Sequence, residues 1–203
     1  SPSTGLNHID VDSVPIVSVK NDKVIYDVWS TAEHTLYLML SIVRGKHELH
    51  EKILGIIGYG RLGKMVETLC KPLFKKIISV DKGDSLDELY EKSDMVSIHM
   101  DYNPTTEYMI DKEFLSHFKK NIYLINTARG EIVNEQDIKH LLSVGRIKGY
   151  ATDVLQTEYN EQKSVFYGVD YVITTPHIAG VTLEAQEKTY KRVLEKWNNM
   201  NHK

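Results

Sequence analysis

Six short runs rich in Ile and Val, at residues 53–57, 76–80, 95–100, 122–126, 149–154 and 171–174, alternate with longer stretches whose apolar residues recur at helical spacing. No other feature restricts the fold as much. The runs are almost continuously apolar, as strands are when both faces of a parallel sheet are covered. Helices are expected between them at 64–74, 85–92, 111–118 and 135–144, and a closing helix at 183–198. Such repetition predicts an α/β fold with a doubly wound parallel sheet. The helix ends agree: Ser85 with Glu88 is a capping-box pattern, Asn134 precedes the acidic Glu135 and Asp137, and Gly145 follows as a stop. Upstream, residues 31–44 (TAEHTLYLMLSIVR) form a further helical pattern whose apolar face is wide enough for a core or a partner helix, with core the expectation.

A chain of 203 residues, 41% hydrophobic, can bury one good core, or one domain and a fragment of another. Its formal charge of -3, with 25 basic residues spread among 28 acidic ones, argues against nucleic acid as a partner. No stretch approaches the roughly 20 apolar residues of a membrane span, and the amino end, SPSTGLNHID, has no basic segment followed by an apolar one. No membrane association is expected. The single cysteine, Cys70, excludes an intrachain disulfide or a multi-thiolate metal site and fits a reducing, cytoplasmic setting. It is expected to be a buried small hydrophobe. No metal is expected. The amino end reads as the middle of a folded region.

GIIGYGRLGK, residues 55–64, sets Gly58, Gly60 and Gly63 between the first strand and the next helix. Glycines punctuate many such turns, so context decides what these three mean. Asp81 closes the second run 23 positions beyond Gly58, near the roughly 20-residue offset at which an acid bonds a ribose 2′-hydroxyl. Each glycine then has a task. Gly58 permits the tight turn, Gly60 lets a pyrophosphate approach the backbone, and Gly63 lets the helix pack on the strand, with amides at the helix start bonding the phosphates. This is a Rossmann-type dinucleotide-binding pattern, and the Asp81 carboxylate, which repels a 2′-phosphate, favours NAD over NADP.

Oxidoreduction also needs a proton donor and a group that holds and polarises a carbonyl, both at the carboxyl ends of strands where the crevice of such a sheet opens. Arg129, in NTARGEIVN, offers a guanidinium that can grip a carboxylate with two parallel bonds, as suits a 2-oxo acid; a solvated loop arginine or a helix cap is the alternative. Glu158, in QTEYNEQK, would ordinarily be a surface acid. His177, in TPHIAG, carries an imidazole suited to exchanging a proton with an alcohol near neutral pH, and a nearby carboxylate would favour its protonated form. Among nine histidines, only its place after a strand singles it out.

Together these segments resemble the D-isomer-specific 2-hydroxyacid dehydrogenases. The likeness runs from STGLNHID through AEHTLYLML, GIIGYGRLG, SLDELYEKSDMVSIHM and YLINTARGEIVNEQDI to ATDV and TPHIAG. The resemblance implies Arg129, Glu158 and His177 as the catalytic set, with Glu158 the acid paired to His177. It also implies Asp153 near the nicotinamide carboxamide, Arg61 and Leu62 on the phosphates, Thr127 and Ala128 along the cofactor, and Ala179 and Gly180 beside the nicotinamide. A homodimer joined through the cofactor domain would follow, with the 31–44 helix facing the partner.

Members typically begin with a flavodoxin-like substrate lobe of about a hundred residues; here only its tail is expected, so that residues 1–26 are a remnant and hinge and 27–203 the dinucleotide-binding domain. Other departures are local. After Asp81 the chain passes almost directly to SLDEL, without the usual helix and short strand. The usual HVPLTPET reads HMDYNPTT, with Asp101 and Asn103 in place of proline and threonine, and Tyr159 stands where a proline usually follows the catalytic glutamate. The function expected is NAD-dependent interconversion of a D-2-hydroxy acid and its 2-oxo acid. The alternative is an NAD(H)-responsive, corepressor-like module without turnover, against which the Arg129, Glu158 and His177 trio speaks.

Overall fold

The computed structural model describes residues 16–157 and 164–201. They fall into two compact units: Thr31–Ala179, and the described residues of 1–30 with those of 180–203. Thr31–Ala179 is built on six parallel strands, β1 (Ile53–Ile57), β2 (Lys76–Val80), β3 (Met95–Ile98), β4 (Ile122–Asn126), β5 (Ile147–Thr152) and β6 (Val172–Thr174), in the order β2-β1-β3-β4-β5-β6. From β1 the chain steps outward to β2, then returns to the opposite side of β1 as β3. That reversal puts a topological switch point between β1 and β3, the place where open α/β sheets bind ligands. Among the described residues, β2 is the outer strand on the other side of β1.

Side chains alternate along each strand and feed two cores. Leu54, Ile56, Met95, Tyr123, Ile125 and Ala151 pack with α1 (Ser30–Val43) and α2 (Arg61–Cys70). Ile57, Val96, Ile98, Ile122, Leu124 and Tyr150 enter the other core, with residues of α3 (Asp87–Lys92), α4 (Lys112–Ser116) and α5 (Glu135–Ser143). Covering on both faces is why the strands read as unbroken apolar runs. Cys70 is buried with its Sγ 3.8 Å from Met39 Sδ, and burial pushes the thiol up to about 12.

Several boundaries differ from expectation for physical reasons. α2 starts at Arg61, three residues early, because Gly63 belongs inside its first turn: a Cβ there would lie 2.3 Å from the Gly58 carbonyl oxygen. β5 starts at Ile147 because Gly149 is a strand interior, not a boundary, placed where a Cβ would meet Ile42 Cδ1 at 2.8 Å. The Ser85–Glu88 capping box does not form. Glu88 pairs with Lys76 and Lys92, and the Ser85 hydroxyl donates to Asp87 Oδ2 at 2.8 Å. Asn134 does cap α5, accepting from the Asp137 amide at 3.2 Å.

The other unit contains α6 (Leu183–Asn201) and the described residues 16–30. Asp22 is held there by Lys196 Nζ at 2.8 Å and Arg192 Nε at 2.9 Å, which keep its carboxyl well below the usual carboxylate range. Among the described residues, no helix is long and apolar enough to cross a membrane, and no cluster of His, Cys, Asp and Glu could hold a metal ion.

Candidate active site

The turn after β1 is shaped by close backbone approach. Gly58 has φ +93°, and a Cβ on it would lie 2.7 Å from the carbonyl carbon of His99 and the amide of Met100, at the end of β3. Only glycine fits there. Gly63 is closed to side chains by Gly58 and Ile56, whereas a Cβ on Gly60 would meet nothing within 4 Å. Gly60 thus faces room that a ligand can use, directly ahead of the α2 amino terminus, whose first amides lack intrahelical acceptors and carry the positive end of the helix dipole. Arg61 and Leu62 lie in that first turn, half-buried, Arg61 donating from Nη1 to Met65 Sδ at 3.3 Å. Asp81 is exposed just past the end of β2, its Oδ1 accepting from the Lys82 amide at 2.9 Å. Across the switch point, burial holds the His99 ring neutral, pushing it down to about 3; its Nε2 lies 2.8 Å from Ser97 Oγ.

A second set of groups stands past β4, β5 and β6. Asn126, Thr152 and Thr174 close those strands in one register row, so the segments that follow leave the same sheet edge. Asn126 shapes the first of them: its Oδ1 accepts from the Ala128 amide at 3.0 Å and its Nδ2 donates to the Arg129 carbonyl at 2.9 Å. Arg129 is half-buried and donates from Nη1 to the Ala128 carbonyl at 2.7 Å. Gly130 is pressed against the chain after β5, where a Cβ would lie 2.4 Å from the Leu155 carbonyl carbon. Gln156, two residues before Glu158, is fixed by its amide donating to the buried Glu135 at 2.8 Å and its Nε2 donating to the Val133 carbonyl at 2.7 Å. Burial raises the Glu135 carboxyl above its ordinary value. Glu158 itself lies outside the described residues.

Asp153, 1% exposed, accepts at Oδ1 from the Thr175 hydroxyl (2.6 Å) and the Ile178 amide (3.0 Å), and at Oδ2 from the Ala179 amide (2.8 Å). Its carbonyl receives the His177 amide at 2.9 Å. His177 is exposed and takes φ +54°, a left-handed conformation in which the contacts of Asp153 hold it. Thr127 is buried with its hydroxyl 2.9 Å from Thr35 Oγ1; Ala128 and Ala179 are buried, and Gly180, in the other unit, is exposed. Asn126, Gly130, Gln156, His34, Thr35 and Thr175 were not anticipated as parts of this site. Asn126 alone carried a signal, as a polar residue ending an otherwise apolar run.

The arrangement can cradle a dinucleotide at the Gly60 turn, with Asp81 at hand for a ribose, and can present a guanidinium and an imidazole from the same sheet edge. A family model described as D-isomer specific 2-hydroxyacid dehydrogenase, NAD binding domain, matches residues 40–179. The chain belongs to that family. Its cofactor is therefore NAD, and the family's chemistry is NAD-dependent oxidoreduction of D-2-hydroxy acids. A D-specific alpha-keto acid dehydrogenase of Enterococcus faecium is 30% identical over 95% of the chain and 72% of its own length. The D-lactate dehydrogenase of Aquifex aeolicus, solved with NAD and lactic acid, superposes with a TM-score of 0.82 at 28% identity, covering 99% of this chain and 75% of that one. The NAD-dependent formate dehydrogenase of Staphylococcus aureus, solved with NAD, does so at 0.78 with 30% identity, over 86% of this chain and 63% of that one.

Proposed function

We propose that this family member interconverts a small D-2-hydroxy acid and its 2-oxo acid, with Arg129, His177 and Glu158 as its catalytic residues. One observation carries the reading: Arg129 and His177 each stand three residues beyond register-paired strand ends, Asn126 and Thr174, two strands apart on one sheet edge. Neighbouring strands lie about 4.8 Å apart, so the two loops start within about 10 Å of each other. That suits a small anion gripped by one side and protonated from the other.

Bound NAD supplies a ring that gives or takes a hydride at the substrate carbon. The Arg129 guanidinium holds the substrate carboxylate in paired charge-assisted bonds and draws electron density from the carbonyl. The His177 imidazole moves a proton to or from the substrate oxygen, and Glu158 is proposed as the acid that favours its protonated form, a pairing carried over from the family pattern. Gly58, Gly60, Arg61, Leu62 and Gly63 are proposed for the pyrophosphate, Asp81 for the ribose, and Thr127, Ala128, Asp153, Ala179 and Gly180 for the nicotinamide half. The Asp153 carboxylate, with three bonds accepted, retains a lone pair on Oδ2 for an amide donor.

The same proposal assigns residues 1–26 to a remnant of the substrate domain and the hinge, and 27–203 to the dinucleotide-binding domain. It pairs two copies of the chain through α1, where Tyr37 and Leu40 are exposed one turn apart, and places the protein in the cytoplasm without nucleic-acid or membrane partners. The decisive experiment follows NADH oxidation over a panel of small 2-oxo acids. We expect His177→Gln to lower kcat about 100-fold or more while NADH affinity stays within about twofold. Turnover unchanged in that variant removes the assignment.

A further inference from the structure

The AEHT segment of α1 has no task in the reading above, yet it contacts both catalytic loops. His34 Nε2 lies 2.9 Å from Thr175 Oγ1 and 3.5 Å from Asp153 Oδ1. Thr35 Oγ1 lies 2.9 Å from Thr127 Oγ1. Proton accounting fixes both bonds. The Asp153 carboxylate only accepts, so the single Thr175 proton goes to its Oδ1 at 2.6 Å, and His34 must donate from Nε2 to Thr175. Likewise the Thr35 proton goes to the Thr31 carbonyl at 2.7 Å, so Thr127 donates to Thr35. Two chains of hydrogen bonds therefore leave one turn of α1. One runs His34, Thr175, Asp153 to the Ile178 and Ala179 amides; the other runs from Thr35 to Thr127, two residues before Arg129.

We infer that His34 and Thr35 are positioning residues, which set the spacing of the His177 and Arg129 loops by tying both to α1. The sheet cannot do this alone. β6 has only three residues, and the 178 and 179 amides bond the Asp153 side chain in place of a strand. Consecutive residues on a helix point about 100° apart, so a single turn reaches the loops after β4 and β6 at once. α1 is itself fixed on the sheet, because Ile42 fills the space that Gly149 leaves over β5. The inference rests on the roles proposed for Arg129 and His177.

The test reads each loop separately in the full chain, by amide hydrogen exchange of peptides spanning 127–130 and 175–180, alongside steady-state kinetics. His34→Leu is expected to speed exchange about tenfold in 175–180 and leave 127–130 within about twofold; Thr35→Val, nearly isosteric, should do the reverse. His34→Gln, which places an amide nitrogen near the Nε2 position, and Thr35→Ser should restore both. Each disruptive variant should lower kcat about tenfold with KM for NADH within about twofold. Exchange unchanged in both loops, or raised equally across all six strands, overturns the inference. The exchange arm needs no turnover: a wild type inactive on every 2-oxo acid removes the proposed reaction, while the anchoring stands or falls on exchange alone.

Discussion

Between β1 and α2 the chain is held by what its side chains lack, whereas past β4, β5 and β6 it is held by what they supply. At Gly58 and Gly63 backbone meets backbone so closely that a single carbon would collide at 2.7 and 2.3 Å. Around Arg129 and His177 no such crowding is needed except at Gly130; position comes from Asn126, Asp153, Thr175 and the polar pair on α1. One region is steric and rigid by default. The other is a network, whose members can be removed one at a time with graded effects.

The contrast can be broken at several points. The largest effect is expected for Gly63→Ala, where neither backbone can retreat: a stability loss above about 3 kcal/mol, seen as a Tm drop of roughly 10 °C. A Tm within about 2 °C of wild type would refute the steric account. Next comes Asn126→Leu, which keeps the number of side-chain heavy atoms but strands the Ala128 amide and Arg129 carbonyl; urea unfolding should report a loss of about 2 kcal/mol or more. Gly60→Ala sharpens the division within the turn itself. With nothing within 4 Å of the new methyl, stability should change by less than about 0.5 kcal/mol, while calorimetry should find NADH bound about tenfold more weakly.

The last test reads a pH slope and concerns His99, between the two regions. Its folded form, pushed down to about 3, binds fewer protons than the unfolded chain below the ordinary histidine value of 6.5. The stability associated with the neutral ring is thus complete above pH 6.5 and lost as pH falls toward 3. His99→Gln should flatten Tm against pH over that interval; identical slopes for the two proteins would assign the acid sensitivity elsewhere.

The steric region was legible in the sequence because its constraints are local. Three glycines and an acid 23 positions beyond the first need only a strand and a helix between them to acquire meaning. The strands were legible for the same reason, except that β3 ends at Ile98 and not at residue 100, and that at β5 Gly149 looked like a boundary but serves as a bed for Ile42. Ser85 and Glu88 misled because lysines at 76 and 92 compete for the glutamate, and local spacing cannot weigh a partner on another strand. Of the network, residue chemistry singled out Arg129 and His177, and the family resemblance added Asp153 and Thr127. His34 and Thr35 bond partners 141 and 92 positions away, and within an amphipathic helix they look like ordinary polar residues.

The sealed thiol of Cys70 has a practical consequence. It is the sole sulfhydryl in the chain, wedged between α1, α2 and the sheet and almost wholly uncharged at neutral pH. A chromogenic thiol reagent can therefore react only with molecules whose glycine-turn face has come apart, so the rate of colour development clocks the opening of that layer without an engineered label.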